Sequence, residues 1–436
     1  MKHHSIRVAT AMAGTVLAAT AIFPPAAMAT DGYFQAGYGA IQKSLAGAGS
    51  ANPEDATIQI INPAGLVDVG RQLNISASVF QPHAEYTGTG TGFIAPGTVK
   101  SDRNFFLIPN LAYSHPIDGV SSIGAAIYGS GLATKYPALT NLAPGAVGPG
   151  VFGGGEAGVD LQQYFIGFGY ARRFGNVAVG VEPVVSLQLV KAFGIATLAG
   201  ASSNPGSFSD RGFDTSLGVG VRGGVLWNVV QNLRLGLSGT SPTWSQKFSK
   251  YAGLFADQGA FNVAGNVTAG VAWDVTPAAT LLFDYKRIFF SSIGAVGNSS
   301  LTPQQFGTTG GPGFGWHDVN VLSFGAEWRA TPDWTLRVGY AHNNNPVQGA
   351  DVALNILAPA VVTDHFSGGF TYRVNANSAI DFAAVYVPRH TISGSVPAGF
   401  GGGNVQLAMW ETEVTVGWTY KFDAARPVAG PKLITK

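Results

Sequence analysis

The clearest pattern in the chain is the alternation from Trp410 to Phe422. Trp410, Thr412, Val414, Val416, Trp418, Tyr420 and Phe422 fall on one face, and Glu411, Glu413, Thr415, Gly417, Thr419 and Lys421 on the other. A period of two is the repeat of a β-strand. An apolar face with aromatic ends, opposite a face of charge, glycine and hydroxyl, suits a strand standing between lipid and a polar interior. The pattern recurs. Leu233, Leu235 and Leu237 alternate with Arg234, Gly236 and Ser238; Leu322, Phe324, Ala326 and Trp328 with Ser323, Gly325, Glu327 and Arg329; and Trp334, Leu336, Val338 and Tyr340 with Thr335, Arg337, Gly339 and Ala341. An arginine facing lipid at mid-bilayer costs about 2–4 kcal/mol, so Glu327, Arg329 and Arg337 are expected inside.

Strands are predicted near 71–83, 103–115, 120–135, 159–173, 176–192, 211–228, 231–247, 261–274, 278–290, 316–330, 333–343, 362–374, 377–390 and 405–422, fourteen in all. Their connections alternate between short (such as 116–119, 175–176 and 375–377) and long (such as 84–102, 136–158 and 291–315). Even strand number with short turns at one end and long loops at the other is the asymmetry of a bacterial transmembrane barrel. A soluble sandwich gives no reason for it.

Composition agrees. Charged residues make up 11% of the 436, against roughly 25% in soluble chains, while Phe, Tyr and Trp number 27, 14 and 8. No mature segment supplies the ~18 uninterrupted apolar residues of a spanning helix, and a closed barrel is the other structure that satisfies its backbone groups in lipid. The net charge of +1 leaves no nucleic-acid footprint, and the absence of Cys excludes disulfides and thiolate metal sites.

The chain divides into four expected parts: a signal peptide at 1–29, an irregular segment at 30–70, the barrel at 71–422 and a polar tail at 423–436. Lys2, His3, His4 and Arg7 precede the apolar run Val8 to Phe23, and Ala27-Met28-Ala29 offers a cleavage site. The segment after it is punctuated by Gly32, Gly37, Gly39, Gly47 and Gly49 and shows no sustained alternation.

At this level the chain resembles the FadL family of outer-membrane long-chain fatty acid and hydrocarbon channels. The residues that carry the resemblance are Gly37 to Gly49 (GYGAIQKSLAGAG), Asp55, the Asn62-Pro63-Ala64 motif, Pro109-Asn110, Gly131-Leu132-Ala133-Thr134, Trp316-His317-Asp318, and Asp333 to Gly339 leading to Asn345-Pro346-Val347. The resemblance implies a fourteen-stranded barrel stoppered by an N-terminal hatch, and an inward kink in the third strand that opens the wall. The kink maps to Gly129-Ser130-Gly131, where two glycines weaken a strand; a plain strand end at Gly131 is the other reading. The chain departs from the family at its end, where the tail follows Phe422 and leaves Tyr420-Lys421-Phe422 as an internal assembly signal.

The implied function is passive uptake of hydrophobic compounds, either long-chain fatty acids or aliphatic or aromatic hydrocarbons. Loops capture the substrate, a lumenal pocket receives it, the hatch shifts, and exit is sideways into lipid. Lys191, Lys286, Arg329, Arg337 and Arg373 are candidate contacts for a carboxylate head, with ion pairing to Glu182, Asp284, Glu327, Asp381 and Glu411 as the structural alternative. Tyr251, Leu254 and Phe255 are candidates for an exposed capture loop, with packing of that loop on itself as the alternative. Expected partners are the substrate, outer-membrane lipid and lipopolysaccharide, and the barrel-assembly machinery, with the protein a monomer. No cofactor, metal or nucleic acid is expected. A general diffusion porin is the competing function. An outer-membrane lipase would need an aligned Ser-His-acid set, and none is found; His83, His115, His317, His342, His365 and His390 are scattered singly, without metal-ligand spacing.

Overall fold

The computed structural model describes residues 31–139 and 148–423. The expected signal peptide, and the expected tail from residue 424 on, lie outside them. Fourteen long antiparallel strands form one sheet that closes on itself. They are β1 (Gln72–Thr89), β2 (Phe106–Pro116), β3 (Ser121–Tyr136), β4 (Ala157–Phe174), β5 (Val177–Phe193), β6 (Asp214–Val230), β7 (Leu233–Thr240), β8 (Asn266–Thr276), β9 (Ala279–Ile288), β10 (Val319–Arg329), β11 (Trp334–Asn343), β12 (Asp364–Arg373), β13 (Ser378–Ser395) and β14 (Asn404–Lys421). Each pairs with its sequence neighbour, and β1 closes on β14 from Gln72↔Lys421 to Thr89↔Asn404. Two short strands, Gly97–Lys100 and Trp244–Ser245, add to β1 and β6 at the long-loop end. No helix among the described residues is long and apolar enough to cross a membrane; the crossing is made by strands.

The alternation sorts as the lipid-and-lumen reading requires. On β14, Val414, Val416 and Trp418 are exposed on the outer wall, whereas Glu411, Glu413, Thr415 and Thr419 are buried. On β10 and β11, Leu322, Phe324, Trp328, Leu336 and Val338 face out, and Glu327 and Arg337 face in. The interior those residues face is not open. Residues 31–70 fill it, folded as a short helix (Gly39–Ser44), two single turns of 3-10 helix (Ala56–Ile60, Pro63–Gly65) and a last helical turn (Leu66–Val69).

Polar contacts from wall to plug hold this segment in place. Lys43, fully buried, forms an ion pair with Glu413 of β14 and donates to the Ser78 hydroxyl of β1 at 2.8 Å. The backbone N–H groups of Gly49 and Ser50 donate to Asp284 of β9 at 3.2 and 2.9 Å. Asn62, first residue of the Asn-Pro-Ala motif, donates to Ser50 O at 3.0 Å and to Val225 O of β6 at 3.1 Å, and its Oδ1 accepts from Ala64 N at 3.2 Å. Two wall glycines opposite one another, Gly180 and Gly224, make room for that turn. A Cβ at Gly180 would stand 2.4 Å from Ala64 N, and one at Gly224 2.1 Å from Asn62 Oδ1.

The outer wall supplies a direct test. Val338 lies mid-strand and 62% exposed on the lipid side. Val338→Arg is expected to lower the unfolding free energy by about 2–4 kcal/mol, read by denaturant titration of the barrel in lipid vesicles.

Candidate functional site

The ladder between β2 and β3 is incomplete. Strand β3 pairs with β4 along its whole length, from Ser121↔Arg172 to Tyr136↔Ala157. With β2 it pairs only from Pro116↔Ser122 to Leu111↔Ile127. Beyond Ile127, β3 leaves its neighbour, and Phe106 to Asn110 of β2 keep β1 alone as partner. Pro109, which has no N–H to donate, falls in that one-sided stretch, where proline is tolerated.

The parting begins at Gly129-Ser130-Gly131. Gly131 takes φ +151°, a conformation open to glycine and unfavourable for residues with a Cβ. Unpaired backbone groups at this depth are costly, and the N-terminal segment supplies partners. Gly131 N donates to Tyr33 O at 3.1 Å, the Ser130 hydroxyl donates to the same oxygen, and Gln35 Nε2 donates to Gly129 O at 2.5 Å. Higher up, Lys135 N donates to Ser101 Oγ at 3.0 Å, Lys135 O accepts from Asp102 N at 2.7 Å, and the Thr134 hydroxyl donates to Leu357 O at 2.6 Å. On the lip of β2, Asn110 is buried with neither amide atom bonded.

Tyr33 and Phe34 separate two internal spaces. The upper pocket, toward the long loops, is lined by Tyr33, Leu132, Phe255, Phe261, Val296 and Trp316 among others, all apolar or aromatic. Its rings interlock: Tyr33 and Phe290 have centroids 4.9 Å apart, Phe290 and Trp316 5.2 Å, and Phe255 and Phe261 5.1 Å. Gly32 is required here, because a Cβ would meet the Phe290 ring at 2.4 Å.

The lower chamber is larger, about 70 Å³ swept by the centre of a water-sized sphere, where one water needs about 10–15 Å³. Phe34, Tyr38, Tyr128, Phe165 and Arg222 line it, and it reaches the base of the β3 parting through Tyr128. The Tyr128 ring lies 5.0 Å from both Phe165 and Tyr38. A third apolar cleft, between Phe93, Phe152, Leu301, Phe306, Leu354 and Phe400, lies in the long loops.

The sequence-nominated residues scatter. Arg337 is buried and donates to Glu327 at 2.7 Å, and Arg329 reaches the same carboxylate at 3.0 Å, so both belong to an ion-paired cluster near the short-turn end. Lys286 lines the lower chamber but pairs with Asp31. Arg373 is exposed at the short-turn rim. Lys191 is not in the lumen. On β5 the inward positions are even-numbered, as Glu182, Ser186, Gln188 and Val190 show, so residue 191 faces out, its ammonium 4.7 Å from the Phe193 ring centroid. Tyr251, Leu254 and Phe255 are not an exposed capture surface: they are 0%, 8% and 4% exposed. The loop tucks into the barrel mouth, where Tyr251 donates to Gly212 O at 2.6 Å and Phe255 forms part of the upper pocket. Packing of the loop on itself and on the barrel won because buried aromatic area outweighs solvent exposure. Burial raises the Tyr251 hydroxyl above the usual tyrosine range.

Arg222 was missed. It donates to Glu182 at 2.9 Å, to Tyr128 Oη at 2.8 Å, to Thr240 Oγ1 at 3.0 Å and to Gln59 O at 3.3 Å, joining β5, β3, β7 and the plug. The signal was readable: Val219, Val221 and Val225 face lipid, so the intervening Arg222 faces in. Among the described residues no cluster of three or more His, Asp or Glu has the geometry of a metal site.

Residues 196–396 match the sequence model of the family described as Outer membrane protein transport protein (OMPP1/FadL/TodX), and the resemblance read from the sequence is borne out there. No curated protein matches the chain in sequence. Among solved structures, the Pseudomonas putida toluene transporter TodX is similar with a TM-score of 0.66 at 17% identity, covering 89% of this chain and 99% of that one. A Pseudomonas aeruginosa FadL homologue gives 0.64 at 15%, covering 88% and 98%. The Ralstonia pickettii toluene transporter TbuX gives 0.62 at 17%, covering 89% and 99%. At these identities the likeness is one of fold.

The Arg222 junction is testable. Arg222→Met leaves Glu182 charged, buried and unpaired, and should cost about 3–5 kcal/mol. Adding Glu182→Gln should recover much of that loss, and denaturation of the two purified variants gives the comparison.

Proposed function

We propose that this FadL/TodX-type barrel is a passive outer-membrane channel for compact, uncharged hydrophobic compounds, which leave it sideways into lipid. The observation that carries the reading is the upper pocket: a space with wholly apolar and aromatic walls, immediately above Tyr33. The loop cleft around Phe93, Leu301 and Phe400 is the capture surface. From there the substrate enters the upper pocket, Tyr33 and Phe34 move aside, and it passes through the lower chamber to the opening between β2 and β3. Lateral exit follows from solvent preference, since each CH₂ kept out of water is worth about 0.8 kcal/mol.

The charge distribution disfavours a carboxylate. Arg329 and Arg337 serve Glu327, Arg222 serves Glu182 and Lys286 serves Asp31. An anion in the lumen would have to take a cation from a buried acid, which is costly. Long-chain fatty acids are therefore the weaker substrate class. The competing porin reading needs an aqueous bore, and residues 31–70 occupy the bore.

Uptake of labelled toluene and labelled oleate by cells producing the protein, against cells carrying an empty vector, tests the proposal. Toluene is expected to enter faster than in the control and oleate no faster; a large steady ion current in planar bilayers would favour the porin instead. Val296→Glu, which sets a carboxylate in the upper pocket, and Gly131→Val, which sets a branched side chain at φ +151°, should each abolish the excess uptake. Surface abundance and heat-modifiable migration should be retained.

A further inference from the structure

The lower chamber differs in chemistry from the pocket above it. Its two cations are neutralised: Arg222 by Glu182, and Lys286 by Asp31. Its acid, Asp284, already accepts two plug N–H groups. What remains for a ligand is neutral. The hydroxyls of Tyr38, Thr268 and Ser323 and the side-chain amide of Asn266 line the space and, among the described residues, make no side-chain hydrogen bond. Apolar walls from Phe34, Phe165, Val184 and Val263 complete it. The exit carries the same chemistry in Asn110, whose amide is buried and unbonded.

A hydrocarbon entering this chamber strips water from hydroxyls and returns nothing. A carboxylate brings an unpaired negative charge beside Asp284, where both cations are already taken. A small hydrophobe with one hydroxyl does neither: its ring or chain meets the apolar walls, and its O–H both donates and accepts. We propose that the lower chamber selects hydroxyl-bearing neutral hydrophobes, phenols and short alcohols, over the corresponding hydrocarbons, and that Thr268, Ser323 and Tyr38 set this preference. The inference rests on the uptake reading above and narrows its substrate class. Buried polar groups that hydrogen-bond a ligand hydroxyl discriminate against the analogue without one.

The test measures initial uptake of labelled p-cresol and of labelled toluene, which differ by one hydroxyl, in cells producing the full-length chain and in empty-vector cells. The expected result is a cresol rate constant at least about tenfold above that of toluene, equivalent to about 1.4 kcal/mol. The ratio should fall toward one in Thr268→Val/Ser323→Ala. If the double variant does not assemble, as judged by heat-modifiable migration, Tyr38→Phe removes a single hydroxyl and reads the same ratio. Equal uptake of both compounds in the wild type, or a cresol preference that survives the assembled variants, overturns the inference and leaves the channel reading standing. Uptake of neither compound above the empty-vector control overturns both.

Discussion

The structure is organised by the requirement that backbone hydrogen-bonding groups at membrane depth find partners. A closed ladder meets it by pairing strand with strand, and thirteen of the fourteen neighbouring contacts around this barrel run along most of the length their strands share. At the remaining one, between β2 and β3, pairing stops at Leu111↔Ile127. Tyr33 and Gln35 of the plug then provide acceptor and donor for Gly129, Ser130 and Gly131. The break in the ladder and the position of the plug's first residues are therefore linked: the backbone groups left at one are partnered by the other.

Charge is handled by the same logic on a larger scale. The lumen holds many ionisable groups, and most are matched: Lys43 with Glu413, Arg222 with Glu182, Arg337 and Arg329 with Glu327, Lys286 with Asp31. Such pairs contribute little net stability but make the loss of either member expensive. Two of them, Lys43 with Glu413 and Lys286 with Asp31, tie the plug to the wall. The space above Tyr33 is lined by apolar and aromatic side chains, and the space below it carries hydroxyls as well.

Much of this was legible in the sequence. All fourteen strands appear near their expected places, because each buries one face and shows lipid the other, and that contrast has a period of two. The end of β7 moved most, stopping at Thr240, and other ends moved where pairing continues further, as in β1, which runs to Thr89, and β13, which runs to Ser395. Those extensions carry less of the lipid signal. Lys191 was misplaced by a parity slip that its own strand could have corrected, since Glu182 lies nine positions earlier and faces in. The burial of Tyr251 and Phe255 was not legible: a loop rich in aromatics reads alike whether it turns outward or folds into the mouth. Nor was the Arg222–Glu182 partnership, because facing inward follows from alternation but register between strands does not.

Lys43 lies in the plug, and its ion-pair partner Glu413 lies 370 residues later on the final strand; the same ammonium reaches Ser78 on the first strand. These two strands form the seam at which the cylinder closes. The stopper is thus fastened to the zip. The clasp is complete only when the seam is closed, so no intermediate lacking the last hairpin can hold the stopper by it.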